Sequence, residues 1–279
     1  MSGKAQSLAA GALSLLFLGV FLAIWHIATA PKAQVQAPAD EYAKLLGKGA
    51  KKSAGLPTPE QLAEAALTHL KDPLYDRGSN DKGIGIQLAH SLARVGAGYA
   101  LAILFAVPFG FLIGMSPILY RALNPFIQLM KPISPLAWMP IALYTIKDSS
   151  ISGVFVIFIC SVWPMLINTA FGVASVRRDW LDVTRTLEVK PLRKAFAVIL
   201  PAAAPTIVTG MRISIGIAWL VIVAAEMLVG GTGIGYFVWN EWNNLNLTNV
   251  IFAILVIGVV GMILDFLIGR LQAAVTYVE

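Results

Sequence analysis

Five charged side chains lie inside runs that are otherwise apolar: Arg94 near the start of one, and Lys131, Arg212, Glu226 and Asp265. At the centre of a membrane helix each would cost about 2.5–3.5 kcal/mol, so each must have a partner or a use. Lys131 either draws an anion into a path through a helix bundle or snorkels to the interface on its long aliphatic stem. Arg212 sits deeper in its run and either pairs within the bundle or attracts an anion. Glu226 and Asp265 would repel an anion and are expected to pair structurally. Around Lys131 the chain carries four prolines, Pro125, Pro132, Pro135 and Pro140, within 16 residues. A proline inside a helix frees a carbonyl from its usual bond, and such backbone persists at membrane depth only where protein or a watery cavity satisfies it. The segment is therefore either a kinked packing helix or the lining of a passage that includes Ser134, Trp138 and Met139. The candidate substrate path is Lys131, Ser134, Trp138, Met139 and Arg212.

Other chemistries fail on residue type or spacing. The stretch Gly47-Lys48-Gly49-Ala50-Lys51-Lys52-Ser53 is close to a phosphate loop, but no glycine directly precedes Lys52, as that loop requires. It reads as a basic loop. The cluster Gly230-Gly231-Thr232-Gly233-Ile234-Gly235 lacks the preceding strand of a dinucleotide fingerprint and reads as an external turn. His26, His69 and His90 have no carboxylate or thiol beside them at ligand spacing, so no metal site is expected. Cys160 is the only cysteine of the chain and cannot close an intrachain disulfide. No nucleophile, base and orienting group come together in the sequence. The chain is expected to carry no catalytic residue and no cofactor of its own.

The elements that must position these residues follow from composition. The chain has 279 residues, 57% of them hydrophobic and 13% charged, against roughly 25% charged in soluble domains. One soluble core could not hide this much apolar surface, whereas a bilayer accepts it. The net charge of +6 fits the positive-inside bias; no basic stripe with interleaved aromatics suggests nucleic acid. Residues 8–29 are an uncharged run of 22, long enough for a hydrocarbon core of ~30 Å. The run is longer than a signal-peptide core, and Pro31 would follow the cut, so it reads as a retained helix. Residues 31–89 are the only long polar segment, an external extension with a helix start at Pro59-Glu60-Gln61-Leu62 and turns at Asp72-Pro73 and Gly78-Ser79-Asn80. Further apolar runs cover residues 91–115, 125–146, 151–176, 201–229 and 250–268. The reading is an all-α membrane protein of six transmembrane helices: a first helix in 1–30, an external extension in 31–90, and a five-helix core in 91–279. Between Arg177 and Lys194 there are six Lys/Arg against three Asp/Glu, while residues 230–249 hold Glu241 and no Lys or Arg. The first loop is therefore expected in the cytoplasm and the second outside, with both termini inside. Tyr236, Trp239 and Trp242 fit an outer aromatic belt.

The basic loop, residues 175–201, has structure of its own. Asp179 is expected to cap a short helix, with Asp182 in its first turn where the helix dipole favours a carboxylate. Trp180, Val183 and Leu187 are spaced to share one face. Lys190-Pro191 should break the helix, and Pro191 can start the next, with Leu192, Phe196 and Ile199 at helical spacing before Pro201. Such a loop is either a solvated topology signal or a helix presenting an apolar face to a partner's groove.

The run Asp182-Val183-Thr184-Arg185-Thr186-Leu187-Glu188, followed by Leu200-Pro201, resembles the EAA loop of ABC-importer permeases. That pattern is Glu-Ala-Ala, three residues, Gly, then Ile-x-Leu-Pro. Asp182 stands at the Glu, Val183 and Thr184 at the alanines, and Val198, Leu200 and Pro201 match the end. Glu188 stands at the glycine. Glutamate does not readily take the positive φ that glycine allows there, so the Pro191 break is expected to share the turning. Ser91-Leu92-Ala93-Arg94-Val95, Asn168-Thr169, Gly210-Met211-Arg212, Ala225-Glu226 and Gly233-Ile234-Gly235 resemble other stretches of the same core. The nearest branch serves nitrate, sulfonate, taurine and bicarbonate. Lys131-Pro132-Ile133-Ser134-Pro135-Leu136-Ala137-Trp138-Met139-Pro140 and Thr186-Leu187-Glu188-Val189-Lys190-Pro191 are similar to cyanobacterial nitrate/nitrite permeases, with bicarbonate permeases nearly as similar.

The resemblance implies a type I ABC importer permease fold in the bacterial inner membrane. It implies a second copy of the chain, two cytoplasmic ABC ATPase subunits that hold ATP and Mg, and an external substrate-binding protein, lipid-anchored in the nitrate group. Trp180, Asp182, Val183, Thr184, Arg185, Leu187 and Glu188 would couple the permease to the ATPases. The rival readings are an ATP-independent anion channel or carrier, and a membrane scaffold that transports nothing.

Overall fold

The computed structural model describes residues 3–29, 56–78 and 81–276. The basic loop at residues 47–53 and most of the first half of the polar extension lie outside the described residues. The described chain is helical, with one isolated bridge between Asp76 and Lys82. It divides into two compact units.

The first unit is Met1–Asp72 with Glu241–Phe252. Helix α1, Gly3–Thr29, carries the uncharged span Leu8–Thr29, whose large apolar side chains are exposed all round. A helix apolar on every side is suited to lipid rather than to water. Trp25 donates its indole N–H to the carbonyl of Pro57 at 3.0 Å. Helix α2, Pro59–Lys71, starts where the sequence predicts. Thr58 accepts from the Gln61 N–H and the Gln61 side chain accepts from the Thr58 N–H, a reciprocal capping box.

The second unit, Pro73–Asn240 with Ala253–Glu279, holds the bundle. In order come α3 (Ile84–Met115), α4 (Pro117–Met130), α5 (Pro135–Ile146), α6 (Ser149–Ala174) and α7 (Arg178–Thr186). Then follow α8 (Pro191–Lys194), a π-turn (Ala195–Ile199), α9 (Leu200–Val229), α10 (Ile234–Asn243) and α11 (Leu247–Val275), with residues 241–252 of the last two helices and their link counted in the first unit. Among the described residues of both units, five helical segments, the α1 span included, are long and apolar enough to cross a membrane. The remaining apolar run, residues 125–146, is not one helix. Lys131 to Ser134 separate α4 from α5, because Pro132 and Pro135 cannot donate and Ser134 is extended.

Helix α3 begins at Ile84, earlier than the start of its apolar run, because the polar side chains of Gln87 and Ser91 are buried and bonded. Gly98, Ala102, Ala106 and Gly110 form an i, i+4 ridge of buried small residues on α3. A Cβ on Gly98 would stand 2.8 Å from the Ile157 Cβ, and one on Gly110 2.7 Å from the Thr169 Cβ. The ridge brings the backbones of α3 and α6 close enough for packing to hold them together without a hydrophobic drive. Pro191–Val229 forms a continuous 39-residue segment, about 58 Å at 1.5 Å per residue and nearly twice a hydrocarbon core. Its basic start, with Arg193 and Lys194, therefore projects beyond the apolar layer.

Candidate functional site

Three sites emerge from the described residues: the basic loop, the break around Lys131, and a buried polar knot at the start of α3.

In the loop, α7 is anchored from one side and bare on the other. Leu181 packs against Val173, Val176, Ile199, Ala203 and Ile207, and Thr184 is buried. Trp180, Val183 and Leu187 are 41%, 57% and 69% exposed, so the shared apolar face points away from the bundle. The helix start differs from the sequence expectation. Arg177 is the N-cap, with no side-chain cap bond, and Asp179 rather than Asp182 occupies the first turn. A cap bond by Asp179 would require α7 to begin later than it does. Asp182 instead pairs with Arg185 at 2.8 Å on the exposed surface, where such a pair is worth little.

The helix end is a second correction. Glu188 itself turns the chain, with φ 45°. The Glu188 N–H donates to the Arg185 carbonyl and the Val189 N–H to the Thr184 carbonyl, each at 3.0 Å, which is a Schellman end with glutamate at its left-handed position. Two backbone bonds hold a residue there that would otherwise avoid it. Glu188→Gly is expected to stabilise the loop by up to about 1 kcal/mol, the left-handed penalty less the entropy of glycine. Slower amide exchange at residues 188 and 189 would register it; faster exchange would contradict it. Beyond Pro191, Leu192 and Phe196 are exposed while Ile199 is buried, so the three do not share a face. The intervening π-turn, closed by the Leu200 N–H on the Ala195 carbonyl, rotates the register.

The path candidates fall into three places. Lys131 and Trp138 share the wall of a cavity of about 200 Å³. Met139 is buried and lines a smaller pocket with Arg94 and Glu226. Ser134 is exposed at the start of α5. Arg212 stands apart: its Nε donates to Asp265 at 2.7 Å, its Nη2 reaches the other carboxylate oxygen, and Gln272 accepts at 3.4 Å. Its charge is neutralised by a forked pair.

The polar knot is built on a stripe that the apolar character of α3 conceals. Gln87, Ser91 and Arg94 lie at i, i+4 and i+7, one face of the helix. Glu226, buried at 4% exposure, accepts from Arg94 at 2.7 Å, from the Ser91 hydroxyl at 2.8 Å and from the Gly235 N–H at 3.0 Å. Gln87 accepts from the Gly233 N–H at 2.6 Å and Ser91 from the Ile234 N–H at 2.9 Å. Arg94 also donates to the Thr232 carbonyl at 2.7 Å and to the Ser150 hydroxyl at 3.0 Å. Three successive amides of the glycine-rich turn are thus each held by a buried side chain. A Cβ at Gly233 or Gly235 would overlap Glu226 or the Val223 carbonyl, which explains the glycines without any nucleotide.

A family model described as the binding-protein-dependent transport system inner membrane component matches residues 106–277. A nitrate import permease protein of Synechocystis sp. is 42% identical, the match covering 81% of this chain and 82% of that protein. A bicarbonate transport system permease protein of the same organism is 44% identical over 67% of this chain and 69% of its own length. The fold is similar to that of a methionine ABC transporter solved in inward-facing conformations, with a TM-score of 0.61 at 16% identity, covering 68% of this chain and 94% of that one.

Proposed function

The chain belongs to the family of inner-membrane components of binding-protein-dependent transport systems, and from that premise we propose that it is the nitrate- or nitrite-conducting permease of an ATP-driven importer. It is the transport subunit, and ATP with its Mg is hydrolysed on partner subunits. The observation that carries the reading is the bare apolar face of Trp180, Val183 and Leu187 on an anchored helix in a basic loop. Such a face fits a cytoplasmic ATPase groove, with Asp182, Thr184, Arg185 and Glu188 fixing the shape of the helix that enters it. Two copies of the chain would enclose the path, and an external, lipid-anchored binding protein would deliver the anion. The charge of the 177–194 loop supports a cytoplasmic position for it, and a sixth crossing by the broken α4–α5 run would put both termini on that side. ATP can drive the bundle only by favouring one of two global states, and the α7 helices are the levers that transmit the bias.

Bicarbonate is the second substrate reading, favoured by the 44% identity to a bicarbonate permease. Reconstitution into proteoliposomes with and without ATPase subunits, using labelled nitrate and labelled bicarbonate, tests both. Uptake of nitrate only with ATPase, ATP and binding protein is the expected result. Flux without the ATPase would make the chain a channel or carrier, and partner binding without flux would make it a scaffold.

A further inference from the structure

Lys131 lies at the break between α4 and α5. It shares one cavity of about 200 Å³ with Cys160 and Ile217. Cys160 is near the middle of the 26-residue α6, and Ile217 is near the middle of the 30-residue α9. The cavity that Lys131 lines therefore reaches the central turns of two long apolar helices, about 16 Å from the start of α6 at 1.5 Å per residue.

The cavity's chemistry is one-sided. Trp138 and Trp163 also line it, and the rest of the wall is Met, Ile and Pro with the Cys160 thiol. No carboxylate and no side-chain oxygen lines it. The Lys131 ammonium and the indole N–H groups of Trp138 and Trp163 have no hydrogen-bond or ion-pair partner among the described residues. By contrast, the Trp219 indole N–H is spent on the Ile257 carbonyl at 2.9 Å. Lys131 is exposed and Trp138 and Trp163 are half-buried, so their donors are open to an occupant of the space, and an oxyanion there would supply the acceptor. The space suffices for a small oxyanion with few waters.

We propose that this cavity is a mid-membrane binding site for one monovalent planar oxyanion, with Lys131 supplying the charge and Trp138 and Trp163 donating to the oxygens. Trp163, on α6, is the added selectivity residue. One cation neutralises one charge, so a divalent oxyanion such as sulfate would keep an unpaired charge in a poorly solvated space and is refused. The inference rests on the permease reading and assigns the anion's station within it.

The test uses the complete transporter, with ATPases and binding protein, in proteoliposomes. Trp163→Phe keeps the ring and removes the N–H. It is expected to lower nitrate moved per ATP hydrolysed at least about fivefold, while ATP hydrolysis stimulated by binding protein stays within about twofold. Trp219→Phe, whose N–H has a structural partner, should change the two rates in parallel or not at all. Cys160 is the only thiol of the chain, so in the wild type its alkylation by N-ethylmaleimide reports the cavity. Excess nitrate should slow that alkylation, and equimolar sulfate should not. An unchanged ratio for Trp163→Phe, the same loss for Trp219→Phe, or equal effects of nitrate and sulfate on Cys160 overturns the site. Absence of ATP-dependent uptake of nitrate and bicarbonate by the wild type would instead overturn the permease reading.

Discussion

Glu226→Ala is expected to destabilise the bundle by about 3–5 kcal/mol, the usual consequence of removing one partner of a buried ion pair. The magnitude comes from what is left behind. Arg94, 14% exposed in its side chain, would keep its charge and lose its anion. The Ser91 hydroxyl and the Gly235 N–H would lose their acceptor as well, and each unmet buried donor costs about 1–3 kcal/mol. Arg94→Ala should be comparably severe, since it strands Glu226 and frees the Thr232 carbonyl. The double variant should cost less than the sum, because no charge is then left alone. Thermal unfolding in detergent measures all three. Single variants that cost under about 1 kcal/mol would show that the pair does not hold the fold. Faster amide exchange at residues 233–235 should accompany the loss, since those N–H groups are what the knot grips.

Leu187→Arg should leave the fold intact and cut ATP-dependent uptake by about a hundredfold. Leu187 is 69% exposed, so its removal takes nothing from the core, and surface changes of this kind usually stay within about 0.5 kcal/mol. The effect lies in the complex. A guanidinium forced into an apolar groove loses the packing of an anchor residue and buries an unpaired charge, together about 2–4 kcal/mol of docking energy. Asp182→Arg is the companion. It breaks a surface pair with Arg185 that contributes little to stability, while reversing a charge on the presented helix. Uptake by proteoliposomes, with retention of the ATPase subunits on an affinity resin and a melting curve for the free permease, separates the cases. Uptake at the wild-type rate with either variant would end the coupling role of this helix. Loss of uptake with an equal loss of melting temperature would reduce it to a folding effect.

How far each feature was legible depends on the range of the interaction behind it. Hydropathy is local and additive, so the long runs announced the spanning helices, and the capping box at Thr58 and Gln61 was readable because all its partners lie within one turn. The amphipathic face of Trp180, Val183 and Leu187 was likewise readable from spacing. Its cap was not: the helix starts after Arg177 rather than Asp179, and Leu181 near that start packs on a core built from distant parts of the chain. The positive φ of Glu188 was also misjudged, because local preference argues against it and two backbone bonds of the finished helix end override that preference.

The sequence by itself determined that this is a membrane-embedded helical chain with a basic loop and no phosphate loop, since composition, run length and motif spacing need no third dimension, and its resemblance to ABC-importer permeases supplied the family. Only the tertiary structure decided which charges are spent and which remain. Arg94 meets Glu226 across 132 residues and Arg212 meets Asp265 across 53, pairings set by helix rotation and close packing rather than by any local pattern. The same packing leaves Lys131 without an ion-pair partner among the described residues, on the wall of a cavity that reaches the middle turns of α6 and α9. That difference between two cations of similar sequence context arises because neutralisation depends on what lies across the bundle, not along the chain.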